Sequence, residues 1–401
     1  MVGLVDPTVE RLDAHTFAFT TDRPSHFYIR VNAPWAKERN NKAAELAVFA
    51  NAYDQKPDPG DPRVVNAGRY PSAQAALDAA ASGQIVYFPA GSYEGFSIPR
   101  DDLTVYLDAG AVISGGKNTI AIDGRKKVRI TGRGCVRTSA HFIPNRADGL
   151  VLEGILWITR YNGKGFMISV CNTDGVLFSN FKFFMSGSGG GIQNNNTVNC
   201  TMREVFSFST DDPVAIKALQ HPLYGNSDPI RVHGWKIQDT IIRGGPFKIG
   251  SEVTEGVENC TWDNVVSVNY GLRFADKNDN PFLRNLVFNR VRVVNPEVIF
   301  FDVGYHRYIH REKVIGQVPS HSRQVEIVVR DMTVDRIYPN EVNAPGFIVE
   351  GEAGHDVRIT FHNLKVAGKY IKRFQDLVDL GLSHAFVRHA TCEFLVTAER
   401  K

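Results

Sequence analysis

The feature that most constrains this chain is a strand theme repeated along most of its length. VRITGRG (128–134), GLVLEGILWIT (149–159), GVLFSNFKFF (175–184), NCTMREVFSFST (199–210), IRVHGWKIQDTII (230–242), NCTWDNVVSV (259–268), NLVFNRVRVV (285–294) and VEIVVRDMTV (325–334) fit one template. Apolar and polar residues alternate, an Asn, Asp, Gly or Glu marks the turn, and the theme returns after roughly 20–30 residues. One such strand cannot hide its apolar edge. Stacked coils share a continuous core, which makes the chain an all-β solenoid, a parallel β-helix. A β-sandwich would place hairpin turns every 8–12 residues or so, shorter than this repeat. The template sets Asn180, Glu204, Asp239 and Asn264 in a ladder at one corner. It puts Cys200 and Cys260 in the same inward slot two coils apart, as core packing. Trp157, Trp235 and Trp262 fall within coil strands and read as core.

The flanks follow a different pattern. Apolar and polar residues alternate in HTFAFTTDRPSHFYIRVN, a polar stretch with Trp35 and then LAVFANAY follow, and DQKPDPGDP (54–62) is a linker, so 1–60 is expected to form a small β-sandwich-like domain. Residues 61–401 are then the β-helix. SAQAALDAAASG (72–83) predicts one short helix, and YIKRFQDLVDLG (370–381) another that caps the last coil against edge-to-edge pairing. Net charge is +3 with signs interspersed, and no basic run suits a phosphate backbone, so no nucleic-acid partner is expected. No segment approaches the ~20 apolar residues of a membrane span. Five cysteines without CxxC spacing and an N-terminus without an apolar leader lean towards a cytoplasmic location. A secreted chain stripped of its leader would read the same.

Between the templates lies a second set of segments: GGIQNNN (190–196), DDPVAIKA (211–218), GPFKIGSE (245–252), GLRFADK (271–277) and VIFFDVGY (298–305). Stacked one per coil, they turn Ile216, Ile249, Phe274 and Phe301 inward. Gln193, Lys217, Lys248, Glu252, Arg273, Asp276 and Asp302 are expected outward on one face. A row of acids and bases along a solenoid suits a polysaccharide, with acids moving protons and cations binding hydroxyls or carboxylates. Asp211 and Asp212 are its centre, because adjacent carboxylates repel and one is held protonated beside an ionised partner. The bland alternative is a solvated Asx-type turn in Thr-Asp-Asp-Pro. Tyr305 stands where an aromatic would stack on a sugar, or simply packs as a loop residue. His306 and His310 have helical metal-ligand spacing but no third ligand nearby, so no metal is expected. With no phosphate loop, Cys nucleophile or Ser-His-Asp order, no cofactor is expected either.

Over roughly residues 60–340 these segments resemble the polygalacturonase family of glycoside hydrolases, right-handed parallel β-helices. The N-terminal part is more similar to the related dextranase and isopullulanase family. FPAGSY and VYLDAGAVISG resemble the family's first coils, and STDDPVAIKA its Asp-Asp motif with the trailing Ile-Lys. KIGSEVTEGVENC resembles the segment after its Gly-His-Gly, and GLRFADK its Arg-Ile-Lys strand. The resemblance implies Asp211 as general acid and Asp212 as base, with Lys217 and Arg273 retained at the site. Three positions depart from it. Gly190 falls where the first catalytic Asp of Asn-Thr-Asp-Gly belongs, Gly245 where the His belongs, and Ala275 where the Lys belongs. Asn172-Thr173-Asp174-Gly175 matches the missing motif in letters but lies one coil too early, at an ordinary turn. Without the Lys, the resemblance argues against galacturonan, although Lys248 is placed to substitute in part. Asp302, expected one coil beyond Ala275 in the same column, and Glu252 are candidates for a relocated acid or base.

The leading expectation is therefore an inverting glycosidase acting on an oligo- or polysaccharide. A carbohydrate-binding β-helix without the reaction, or a lyase or intramolecular transferase on the same scaffold, are the alternatives.

Overall fold

The computed structural model describes residues 2–3, 7–13, 16–31, 44–115, 119–218, 230–276, 282–296, 299–304, 323–337, 346–382 and 385–397. Parallel registers climb the chain without a break. One row runs Ile85, Thr104, Arg129, Val151, Leu177 and Thr201, then Lys236, Thr261, Val287, Val328 and Thr360. The next residue of each strand points inward. Val86, Val105, Ile130, Leu152, Phe178, Met202, Ile237, Trp262, Phe288, Val329 and Phe361 form one buried column. Within it Trp262 stacks on Phe288 with centroids 4.1 Å apart. Period-2 alternation thus becomes a core once each strand lies on the last.

The corners explain why the turn residues are what they are. Asn180, Glu204, Asp239 and Asn264 share one ladder by register and all take left-handed backbone, with φ between 47° and 55°. Asn and Asp tolerate this conformation because a short polar side chain bonds locally. Asn264 Nδ2 donates to Asp239 Oδ1 at 2.5 Å, one rung to the next. Cys200 and Cys260 are buried on either side of Trp235, two coils apart.

Before the coils, Val2–Gly3, Ser25–Val31 and Ala44–Ala50 form one antiparallel sheet, and Thr8–Arg11 with Phe17–Thr20 another. Phe19 meets Phe27 between them, centroids 5.2 Å apart. The Ser25–Val31/Ala44–Ala50 hairpin packs on the outside of the β-helix. Phe49 contacts Phe184 and Phe206, and Arg243 donates to Tyr28 Oη and to Glu45 Oε1. The helix Ala73–Ala79 starts at Ser72, whose Oγ accepts from Ala75 N at 3.1 Å. At the other end Phe374–Asp379 is helical with Leu377 buried, but it does not end the solenoid. Ala385–Arg388 and Thr391–Leu395 follow and add a last parallel layer on Gly346–Glu350 and Asp356–His362. Strand pairing after the helix, invisible in a helical pattern, makes the final coil.

Candidate active site

Stacking brings the second set of segments together. In register, Gln193, Ala215, Lys248, Arg273 and Asp302 occupy one outward row on successive coils. Ile216, Ile249, Phe274 and Val303 form the neighbouring inward row, with Phe301 beside Leu272. Asp302 therefore stands beside Arg273, not in the column of Ala275. The expected placement was two residues off, because the strand Ile299–Val303 pairs further along than its apolar pattern suggested.

At the head of this row Asp211 and Asp212 diverge. Asp211 is exposed, while Asp212 is 4% exposed and accepts from Lys248 Nζ at 2.8 Å. Although Asp211 is exposed as a residue, the protein around its carboxyl removes water and the Asp212 charge adds to the effect. Its pKa is raised above the ordinary value, with Lys248 and Arg273 opposing. Burial pulls Lys248 down, with Asp212 acting the other way. Asp302, 3% exposed, is pushed up to about 6 by burial, against the pull of Arg273 and Lys248 and with a push from Glu350. Arg273 Nε stands 3.5 Å from Asp302 Oδ2. Lys217 Nζ and Glu252 Oε2 pair at 2.5 Å. Three of the expected cations, Lys217, Lys248 and Arg273, thus each face a carboxylate, that of Glu252, Asp212 and Asp302 in turn.

Asp302 lies three coils beyond Asp211, about 14 Å along the axis at ~4.8 Å per coil. It adjoins the acid pair through Arg273 and Lys248. Gln193, expected in the groove, is 0% exposed, as are its row neighbours Ser169 and Ala215. Gln193 is thus buried and does not open onto the surface of this structure. The backbone of Asp276 pairs with Ser251, but its side chain and that of Ala275 lie outside what the structure describes. Tyr305, His306 and His310 fall outside the described residues altogether.

Two of the three departures from the expected motif, Gly190 and Gly245, have physical causes. Phe166 pairs with Gly190 on the preceding coil, and a Cβ at Gly190 would lie 2.4 Å from its ring. The place of the missing carboxylate is filled by an aromatic ring, over which Lys217 Nζ sits 5.0 Å from the centroid. A Cβ at Gly245 would lie 2.2 Å from the carbonyl oxygen of Asp211, so only glycine fits there. Asn172–Gly175 serves as coil corner. Asn172 has φ 50° and Gly175 φ 73°; Thr173 Oγ1 donates to Cys171 O, and Asp174 Oδ1 accepts from Asn199 Nδ2 at 2.7 Å. Asp174 thus belongs to a turn ladder.

Phe166 and Glu350 escaped the sequence reading. Aligning GKGFMISV with GSGGGIQN coil on coil reveals the first. The likeness of GFIVE to IFFDV, each ending near a carboxylate, signals the second. Among the described residues no three His, Cys, Asp or Glu side chains gather to hold a metal, and no helix is long and apolar enough to cross a membrane.

The architecture is a parallel β-helix, and solved structures share it. The polygalacturonase of Erwinia carotovora ssp. carotovora is 15% identical over 85% of this chain and 99% of its own, with a TM-score of 0.59. Dex49A from Penicillium minioluteum is 11% identical over 97% of this chain and 77% of its own, TM-score 0.56. The family 28 exopolygalacturonase of Yersinia enterocolitica is 12% identical over 92% of this chain and 83% of its own, TM-score 0.53. At these identities the likeness establishes the fold. No known family's sequence profile matches the chain, and no curated protein is similar to it in sequence.

Proposed function

We propose that this chain is a glycoside hydrolase that cleaves a glycan with inversion, Asp211 acting as general acid and Asp212 as base. The observation that carries the reading is the divergence of the two carboxyls. Asp211 is exposed in the groove with its protonated form favoured, which suits a group that gives a proton to a leaving oxygen. Asp212 is buried and held to Lys248, which suits a carboxylate that activates water. Inversion calls for carboxyls roughly 6.5–9.5 Å apart, and neighbouring residues reach this only when their side chains turn away from each other. Asp302 and Glu252 hold Arg273 and Lys217 in place instead of touching the scissile bond. Lys217, Lys248 and Arg273 are each engaged by a carboxylate, so the ring being cut is a neutral one. Residues 1–60 are read as a separate domain whose Ser25–Val31/Ala44–Ala50 hairpin packs on the β-helix at Phe184 and Phe206.

Asp211→Asn is expected to lower turnover at least about a hundredfold, and less on substrates with a good leaving group. Asp212→Asn is expected to slow all substrates alike. Full activity of both variants would contradict the assignment. A second reading, a glycan-binding β-helix without the reaction, draws on the Phe166 ring standing where a third carboxylate would be. It predicts saturable glycan binding that Asp211→Asn leaves unchanged and no product from any glycan.

A further inference from the structure

On the N-terminal side of the acid pair the face of the β-helix sinks into an open depression of ≈ 460 Å³. That volume falls in the range of small-ligand sites. Arg137 and Arg160 flank it, with Ser114, Ser139 and Ser186 beside them and Ile158, 38% exposed, as its apolar floor. The coil register explains the arrangement. Thr138 pairs with Thr159, and Arg160 with Ser186, so the two arginines stand on adjacent coils, two residues apart along the strands. Their Cα atoms are then roughly 8 Å apart on a diagonal, at ~4.8 Å between coils and ~3.3 Å per residue. Both side chains are exposed, and neither guanidinium meets a carboxylate among the described residues. This contrasts with the groove around Asp211, where Lys217, Lys248 and Arg273 are all paired.

The depression and the acid pair lie on one line along the axis. Phe184 pairs with Phe208, which sets Ser186 one coil before Thr210; Thr210 Oγ1 donates to Gly187 O, and Asp211 N donates to Gly189 O. Arg160 is therefore about 10 Å from the coil of Asp211, and Arg137 about 14 Å. The hairpin carrying Phe49 packs on Phe184 and so borders the same line. A glycan lying along it would place one ring at Asp211 and a more distant ring over Ile158.

We propose that this depression is a subsite for an anionic substituent, carboxylate or sulfate, on a glycan ring remote from the one being cut. Planar guanidinium groups match either anion with paired hydrogen bonds, and the serine hydroxyls supply neutral partners for the ring. The inference deepens the glycosidase reading by naming a substrate class: a polymer neutral at the cleaved ring and acidic two or three coils away.

Affinity electrophoresis of the full chain through gels containing polygalacturonate, dextran sulfate or unmodified dextran tests it. The chain is expected to be retarded by at least one anionic polymer and not by dextran, polygalacturonate reporting carboxylate and dextran sulfate reporting sulfate. The double variant Arg137→Gln/Arg160→Gln is expected to weaken that binding at least tenfold. Arg69→Gln/Arg336→Gln removes the same charge from exposed arginines elsewhere and is expected to change it less than twofold. Equal weakening by both double variants, or no retardation of the unaltered chain by either anionic polymer, would overturn the proposal. Binding is read without turnover. Retarded Asp211→Asn together with an unaltered chain that cuts no glycan would defeat the hydrolase reading and leave the subsite standing.

Discussion

At the scale of single residues, the proposed chemistry turns on two adjacent aspartates given different surroundings. The Asp211 carboxyl loses water to the protein packed around it and feels the charge of Asp212, and both effects favour its protonated form. An acid with a raised pKa stays competent to a higher pH and loses activity as pH climbs through that value. Carboxyl-carbon NMR titration of Asp211 is expected to give a pKa above the ordinary aspartate range. In Asp212→Asn, with the like charge gone, it is expected to move down. A value at or below the ordinary range in the unaltered chain would remove the case for Asp211 as the acid. The place of Asp211 and Asp212 at the entrance of the Val214–Ala218 strand was legible in the sequence because a motif is local. The burial of Gln193 was not, because burial depends on what other parts of the chain pack against a residue.

At the scale of the coil, contacts between layers decide what a position accepts. Gly190 and Phe166 are the sharpest case, a missing side chain on one coil and a ring from the preceding one in the same space. Gly190→Asp alone is expected to cost about 1–3 kcal/mol through overpacking. Phe166→Ala alone is expected to cost about 3–5 kcal/mol for the hole it leaves. Made together, the changes should relieve each other by at least about 1 kcal/mol in a urea-denaturation double-mutant cycle. Strict additivity would show that the two do not share the space. The repeat made the coils and their corner ladder of Asn180, Glu204, Asp239 and Asn264 readable, because period and turn chemistry are both written in the chain. Register was readable only to within two residues. Asp302 shows this: IFFDV is apolar on both sides of the strand, so nothing local says which residue lies beside Arg273.

At the scale of the whole molecule, the β-helix carries its N-terminal hairpin on a partly polar seat. His26 is buried against Phe49, with Asn180 bonded to its Nε2 and Lys182 beside it. Burial, then the Lys182 charge, hold His26 down at about 4, and burial holds Lys182 at about 7. The sign follows from which state binds the proton. Below about 6.5 the unfolded chain protonates His26 while the folded chain does not, so stability falls as pH drops from there towards 4. The loss is of the order of 3 kcal/mol for a shift of this size. His26→Gln, which keeps a hydrogen-bonding side chain and removes the titration, is expected to flatten that part of the stability profile in denaturant unfolding; an unchanged slope would place the acid sensitivity elsewhere. The central claim concerns the reaction itself, and the anomer first released from a cut glycan tests it most directly. Proton NMR of fresh digests across a panel of neutral and acidic glycans is expected to show a hydrolysis product of inverted configuration, absent with Asp211→Asn. A retained anomer, an unsaturated product, or no product from any glycan would contradict it.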